Sequence, residues 1–138
     1  ELSYKIHLEK PADDLEHAEL QVIFDGRDQE LLLMHGAELL GALEYLTLRC
    51  VGLDPPLFDH VRFDSGNYRA LRIEELKLSA QVAAQRVRET RQPFCFNPMS
   101  SRERRIIHLS LKDQAGVRTA SEGMGEQRHL VVYPVAAK

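Results

Sequence analysis

The sequence predicts an α+β protein made of one or two small modules. Strand-like and helix-like periodicities follow one another in mixed order along the chain. The chain has 138 residues, 43% of them hydrophobic, which is enough to bury one substantial core or two small ones. A stretch without Gly or Pro, residues 67–92, is long enough for a helix that connects two modules. We therefore expect compact modules rather than a large multidomain enzyme.

The first strands are predicted from an alternating pattern and a turn signal. Apolar residues alternate with polar ones at Leu2, Tyr4, Ile6 and Leu8, as in a half-buried strand. A second predicted strand, residues 19–26, ends in Asp-Gly, which is a strong short-range hairpin signal. We expect this strand to turn into a partner strand at residues 29–34.

A helix and a further strand are predicted to follow. Apolar residues spaced four, three and four apart predict the buried stripe of a helix between Gly36 and Gly52; they are Leu39, Leu43, Leu46 and Cys50. Gly52 and the two prolines that come after it end this helix. Residues 60–64 are predicted to form the next strand.

The long helix at residues 67–92 is predicted to join two domains, residues 1–80 and 81–138, in a fixed relation. Its buried stripe is expected at Ile73, Leu76, Ala80, Ala83 and Val87. A strand at 94–96, a helix near residue 105 and two strands at 116–123 and 128–134 are predicted next. The second domain should therefore be a three-stranded sheet with two helices.

The helix near residue 105 has a predicted cap and two distinct faces. Ser100 precedes Glu103 by three positions, which is the spacing of a capping box. On a helical wheel the apolar arc consists of Ile106, Ile107, Leu109 and Leu111, and the basic arc of Arg104, Arg105, His108 and Lys112. The basic arc is expected to face water, with Arg104 and His108 side by side.

Two interpretations of the basic arc remain open. A charged arc is typical of the solvated face of an amphipathic helix. However, no acid lies between Arg104 and Lys112, although alternating charges would stabilise a merely solvated helix better than like charges do. The excess of positive charge on this arc favours the interpretation that it binds an anionic ligand.

The charge of the whole chain is distributed unevenly. Residues 1–80 contain 8 Lys and Arg against 16 Asp and Glu, a net charge of −8, whereas residues 81–138 contain 10 against 5, a net charge of +5. A polyanion is therefore expected to be attracted to the second half and repelled by the first.

Residues Arg104 to His108 match the Arg-x-x-x-His signature of the R-3-H domain, a small module that binds single-stranded nucleic acid. Further motif pieces occur in the right order, namely Pro98-Met99 and Thr119-x-Ser121-x-Gly123. Over roughly Asn67 to Pro134 the chain resembles the bacterial Jag family, also called KhpB or SpoIIIJ-associated proteins. The resemblance implies a bacterial, cytoplasmic protein that binds single-stranded RNA or DNA.

The resemblance assigns roles to individual residues. It implies that Arg104 and His108 contact nucleic acid, that Arg105 and Lys112 add positive field, and that Arg118 and Arg128 extend the track. Each of the last two could equally be an ordinary exposed strand residue. Thr119 and Ser121 are expected to close a hairpin through side-chain hydrogen bonds rather than touch a ligand.

In the Jag family a KH domain precedes the R-3-H domain, and the first half of this chain is similar in the order of its elements. The KH loop, Gly-x-x-Gly, aligns with Met34, His35, Gly36 and Ala37, so neither flanking glycine is present. Since this loop works by bringing backbone close to phosphates, we expect the KH-like half to be impaired or silent for RNA. The alternative is that Gly36 alone suffices.

Other classes of protein are disfavoured by the residues. The wheel places Glu103 far from His108, so a Ser-His-acid triad is not expected, and no glycine-rich phosphate loop or metal-ligand cluster occurs. We therefore expect no enzyme activity, no cofactor and no metal. Cys50 and Cys95 are expected to be reduced thiols, and no membrane insertion is expected. The main alternative function is a protein-interaction module whose acidic half pairs with itself or with a small KH-domain protein.

Overall fold

The computed structural model describes residues 3–11 and 18–135, and it confirms the α+β class. The chain forms two compact units, Glu1–Ala70 (unit 1) and Leu71–Lys138 (unit 2). The division between the units falls inside the long helix, after Ala70. The boundary predicted from the sequence lies in the same helix, at residue 80. Each unit contains a three-stranded sheet.

Unit 1 contains strands β1 (Lys5–Glu9), β2 (Leu20–Asp25) and β3 (Val61–Asp64) and helix α1 (Gln29–Cys50). The sheet order is β1-β2-β3, with β1 antiparallel and β3 parallel to β2. A 3₁₀ turn, Pro55–His60, leads into β3.

The predicted hairpin between residues 19–26 and 29–34 is wrong. Residues from Gln29 onward begin α1, and the antiparallel partner of β2 is β1. A short apolar run such as Leu31 to Leu33 fits a strand and a buried helix equally well, so periodicity alone could not decide. Gly26 is still required at the turn, because a Cβ there would come within 2.3 Å of the Ser3 carbonyl oxygen.

The predicted half-buried pattern of the first strand holds at Tyr4, which packs against the core, but is wrong at Ile6 and Leu8. Ile6 and Leu8 lie opposite Phe24 and Val22, whose side chains pack against the core, yet they are themselves 61% and 67% exposed. β1 is the edge strand of its sheet. Leu2 lies outside the described residues.

The stripe predicted to be buried in α1 is wrong at three of its four positions, and only Leu43 packs against the core. Leu39, Leu46 and Cys50 are exposed, whereas Leu40 and Leu48 are buried. The buried face also contains the charged residue Glu44, whose side chain is only 13% exposed. This face therefore looks polar in the sequence. The Glu44 carboxylate accepts hydrogen bonds from Arg69 Nη2 at 2.8 Å and from the Phe63 amide at 2.7 Å. A buried acid is tolerated there because both partners stabilise its charge.

The helical path of α1 is broken between Met34 and Ala37. Met34 is extended (ψ 151°), and His35, Gly36 and Ala37 follow with φ values of 53°, 72° and 62°. The three consecutive left-handed residues form a tight loop between two helical segments. Ala37 is nevertheless buried in a cluster with Leu40.

Ala37→Gly is expected to change the stability of the protein by less than about 1 kcal/mol in either direction. Relief of the left-handed strain should contribute about 1–2 kcal/mol. The lost methyl burial, about 0.8 kcal/mol, and the greater freedom of an unfolded glycine, about 0.5–1 kcal/mol, should offset that gain. Ala83→Gly is the matched control, since Ala83 is also buried but lies inside a regular helix, and it should destabilise. Urea denaturation of both variants tests this, and equal losses would contradict it.

Unit 2 contains most of helix α2 (Tyr68–Thr90), strand β4 (Phe94–Cys95), helix α3 (Ser101–Leu111) and strands β5 (Val117–Glu122) and β6 (His129–Pro134). The sheet order is β4-β6-β5, and all pairings are antiparallel. The predicted stripe of α2 is confirmed, because Ile73, Leu76, Ala80, Ala83 and Val87 are all buried. The other buried apolar residues of unit 2 include Ile106, Ile107 and Leu111 of α3 and Leu130 to Val132 of β6.

Candidate nucleic-acid interface

Helix α3 begins at the predicted capping box. The Ser100 side chain accepts a hydrogen bond from the Glu103 amide at 3.3 Å, and the Glu103 carboxylate accepts one from the Ser100 amide at 3.1 Å. These bonds satisfy two of the amide groups that a helix N-terminus leaves unpaired. The cap fixes where the helix starts, and therefore which residues share each face.

A salt bridge ties α3 to α2. Arg72 donates from Nε to Glu103 at 2.8 Å and from Nη1 to Glu75 at 2.9 Å. Burial alone would lower the pKa of Arg72, but the hydrogen bonds to Glu75 and Glu103 outweigh it, so the pKa is raised. Glu103 thus serves both the cap and the attachment of α3 to α2.

One cavity collects much of the predicted basic arc. It has a volume of about 360 Å³ and is lined by Ser101, Arg104, Arg105 and His108 of α3 and by Thr119, Ala120 and Ser121 of β5. The structure therefore brings three of the predicted nucleic-acid residues together. Lys112, just after the last turn of α3, is exposed and does not line the cavity.

Arg104, one of the lining residues, carries an unused hydrogen-bond donor. Its Nε atom is buried and has no hydrogen-bond partner within residues 3–11 and 18–135. Leaving a buried charged donor unsatisfied is costly, whereas an arginine readily forms forked hydrogen bonds to a phosphate or carboxylate. Arg104 also lines the cavity, so an anion bound there would lie beside its guanidinium group.

His108 is held in place from the neighbouring strand. Its Nδ1 atom lies 2.6 Å from the Thr119 hydroxyl oxygen. The sequence predicts that Thr119 closes a hairpin, whereas its hydroxyl lies against the imidazole. With Nδ1 engaged, Nε2 is the nitrogen left for a ligand.

The remaining predicted residues lie elsewhere. Thr119 faces α3, so its neighbour Arg118 points to the opposite face of the sheet, since side chains alternate along a strand. There the Arg118 guanidinium lies 4.4 Å from the centre of the Tyr133 ring. The Tyr133 hydroxyl donates to Glu122, and this bond raises its pKa. Arg128, just before β6, is exposed and does not line the cavity.

The loop of unit 1 that aligns with the KH loop has a defined anchor. The Tyr68 hydroxyl donates a hydrogen bond to the Gly36 carbonyl oxygen at 3.0 Å. Met34 is 51% exposed. A Cβ placed at Gly36 would meet no other atom within 4 Å, so the requirement for glycine there is conformational.

A metal cluster and a membrane-spanning helix are two further features that would bear on function. Within residues 3–11 and 18–135, no group of three or more His, Cys, Asp or Glu side chains could hold a metal ion. Helix α1 is long and apolar enough, by length and composition alone, to cross a membrane. The helix is interrupted at Met34–Ala37, and its residues Leu32, Leu40 and Leu48 are buried.

Comparison with known proteins places this chain beside a group of bacterial proteins. Residues 74–134 match the R-3-H domain family. The RNA-binding protein KhpB of Bacillus subtilis is 38% identical over 109 residues, which are 78% of this chain and 52% of that protein. KhpB of Clostridium symbiosum is 32% identical over 114 residues, which are 83% of this chain and 51% of that protein. The chain spans about half the length of these relatives.

Proposed function

The chain belongs to the Jag (KhpB) family and contains an R-3-H domain, and from this premise we propose that it binds single-stranded nucleic acid, RNA in the first place, through α3. The observation that carries the proposal is the cavity that Arg104, Arg105 and His108 line together. Phosphate oxygens are acceptors to which arginine side chains form forked hydrogen bonds.

Each residue of the site has a distinct role in the proposal. Arg104 forms forked hydrogen bonds to one phosphate. His108 donates from Nε2 to a second phosphate or stacks on a base. Arg105 and Lys112 add positive field, whereas Arg118 and Arg128 do not line the cavity and contribute at most at long range.

We infer recognition without chemical turnover. The Glu103 carboxylate is held by Ser100 and Arg72, so it is committed to structure. The group bound to His108 Nδ1 is a threonine hydroxyl rather than a carboxylate. A catalytic triad would need an acid at that position.

We also place the protein in the bacterial cytoplasm, where RNA is available to it.

Binding can be tested with the whole chain and a fluorescently labelled single-stranded RNA. Fluorescence anisotropy at low salt should rise to saturation as protein is added. A single-stranded DNA and a duplex RNA of the same sequence serve as competitors, and the single strands should compete better than the duplex. An unchanged anisotropy at all protein concentrations would contradict the proposal.

Affinity is expected to fall steeply with salt, because counterions are released when cationic side chains neutralise phosphates. With three or four phosphates contacted, log K against log salt should have a slope of roughly −2 to −3, from about 0.7 per contact on a single strand. Titrations at four or more salt concentrations measure this slope. A flat dependence would rule out phosphate recognition by the basic arc.

The KH-like loop of unit 1 is proposed to contribute little to RNA affinity. Met34→Ala and His35→Ala are each expected to change the Kd by less than about twofold, because the glycine backbone that approaches phosphates is missing and unit 1 is acidic. The same anisotropy titration measures this. A loss as large as that caused by Arg104→Ala would show that Gly36 alone sustains a working loop.

A second candidate function is protein pairing through unit 1, with a second copy or a small KH-domain protein as partner. The observation that favours it is the exposed apolar stripe of α1, in which Leu39 is 46% and Leu46 is 58% exposed. Light scattering at increasing protein concentration tests self-pairing, and Leu46→Ser should weaken it. A monomer at all concentrations would leave only the heterologous partner, which mixing the two proteins would test.

A further inference from the structure

Strand β1 has an open backbone edge. Among residues 3–11 and 18–135, β1 pairs with β2 alone, and the sheet order makes it an edge strand. Its backbone N–H and C=O groups that point away from β2 are the groups to which a further strand would bond. All five residues of β1, Lys5–Glu9, are exposed. The strand is therefore accessible both at its edge and on its faces.

The core-side face of β1 is apolar. Ile6 and Leu8 lie opposite Phe24 and Val22 of β2, which pack against the core, but they are themselves 61% and 67% exposed. Exposed apolar residues on an edge strand favour the addition of another strand, because that strand would remove them from water. Edge strands in proteins are commonly protected from such pairing by charged residues. The charges of β1 therefore determine whether it repels or attracts a second strand.

The charges of β1 are arranged so that the strand complements itself. Lys5 and Glu9 share the outer face of the sheet, since side chains alternate along a strand. If two copies of β1 run antiparallel with His7 facing His7, Lys5 of each copy lies opposite Glu9 of the other. Ile6 of each copy then lies opposite Leu8 of the other. Opposite charges and apolar pairs in directly opposed positions both stabilise strand pairing.

Other arrangements of two β1 strands lose this match. The register of a hydrogen-bonded pair changes in steps of two residues, because alternate residues point their N–H and C=O groups to the shared edge. One such step places Lys5 opposite His7, and the step in the other direction places it opposite Pro11, which has no N–H to donate. A parallel arrangement would bring the like charges of the two copies together. The antiparallel register centred on His7 is thus the favoured one.

We propose that a second copy of this chain docks on β1, antiparallel and centred on His7, so that the two three-stranded sheets of unit 1 continue as one sheet. The contact has two-fold symmetry and uses the same edge of both copies, so it closes as a dimer. A five-residue strand gives a small interface, and the dimer is therefore expected to be weak and to dissociate on dilution. This inference goes beyond nucleic-acid binding, and it assigns self-pairing to a surface other than the exposed stripe of α1.

Sedimentation velocity of the whole chain, from about 1 µM to about 1 mM, tests for the dimer. The sedimentation coefficient should rise from the monomer value to the dimer value, and a monomer throughout would overturn the inference. Leu8→Thr keeps a residue that favours strands but removes the apolar contact twice in each dimer, so it should weaken dimerisation by roughly tenfold. Leu46→Ser is the matched control, because Leu46 on α1 is 58% exposed, and it should leave dimerisation unchanged. A loss with Leu46→Ser and not with Leu8→Thr would overturn the inference in favour of α1.

Two charge reversals test the register. Glu9→Lys places lysines opposite each other in the dimer, and it creates no like-charge pair within one copy because Glu9 lies opposite Gln21. Lys5→Glu places glutamates opposite each other, and it is made together with Asp25→Lys so that the pair opposite Lys5 in β2 keeps its opposite charges. Each variant alone should dimerise roughly tenfold or more weakly. An equimolar mixture of the two should recover the dimer, because every lysine then lies opposite a glutamate. Failure of the mixture to recover, with both variants folded by circular dichroism, would overturn the proposed register.

The RNA titration of Leu8→Thr separates this inference from the proposed function. The substitution changes neither the net charge nor any residue that lines the cavity of α3. Its RNA affinity, measured at concentrations where the wild-type protein is monomeric, should therefore be unchanged. A dimer that binds no RNA would refute the proposed function alone, whereas RNA binding by a protein that never dimerises would refute this inference alone.

Discussion

Arg104→Ala is expected to weaken the binding of single-stranded RNA by about tenfold or more. The estimate corresponds to the loss of hydrogen bonds to a charged group, worth about 1.5–3 kcal/mol. The salt slope should become shallower by about 0.7, because one phosphate contact is lost. The effect should be similar for RNAs of different sequence, since a phosphate contact carries no base information. Anisotropy titrations at several salt concentrations measure both quantities.

Two controls make the result specific. Arg49→Ala removes the same charge from the last turn of α1 in unit 1, and it should have a much smaller effect. His108→Ala should weaken binding with a smaller change in salt slope if the imidazole binds while neutral. Equal losses of RNA affinity from Arg49→Ala and Arg104→Ala would mean that affinity depends on the net charge of the protein rather than on contacts at the cavity.

Ile107→Ala is expected to destabilise the fold by roughly 2–5 kcal/mol. Ile107 is fully buried, so truncation both removes apolar burial and leaves a cavity. Leu109 belongs to the same predicted apolar arc but is 39% exposed, so Leu109→Ala should cost clearly less. Chemical denaturation of the two variants measures the difference. Equal costs would contradict the packing of α3.

The same denaturation experiment also tests the role of Arg104. Since the buried Nε of Arg104 bonds no residue in the described part of the chain, Arg104→Ala should change stability by about 0.5 kcal/mol or less. If this variant unfolded as readily as Ile107→Ala, Arg104 would be a structural residue. The family assignment would stand, but the proposed mechanism would fail.

Sequence reasoning succeeded where several local signals agreed. The start of α3, its buried residues Ile106 and Ile107, and the adjacent Arg104 and His108 follow from a cap, a helical period and a family motif together. It failed in α1, where the buried face contains Glu44 and the exposed face contains Leu39 and Leu46. The ion pair that permits this joins Glu44 to Arg69, and no local pattern indicates a contact across that separation.

The face of β5 on which Arg118 lies could have been predicted from the sequence. Val117, Thr119 and Ser121 share one face of β5 by alternation, and the apolar Val117 indicates that this face is turned inward. Arg118 must then lie on the other face, away from α3. The specific contact between Thr119 and His108 depends on tertiary packing and could not be read from the pattern.

The left-handed loop of α1 bears on how this protein could be engineered or could evolve. The backbone at Ala37 already has the conformation that a glycine would adopt, so a glycine there requires no rearrangement of the loop. Met34, at the other flank, is extended and equally open to replacement. Restoring the Gly-x-x-Gly sequence is therefore a change of composition at two positions and not a change of shape. Because the loop already has a backbone that glycines can adopt, unit 1 is a suitable starting point for selecting a new binding specificity.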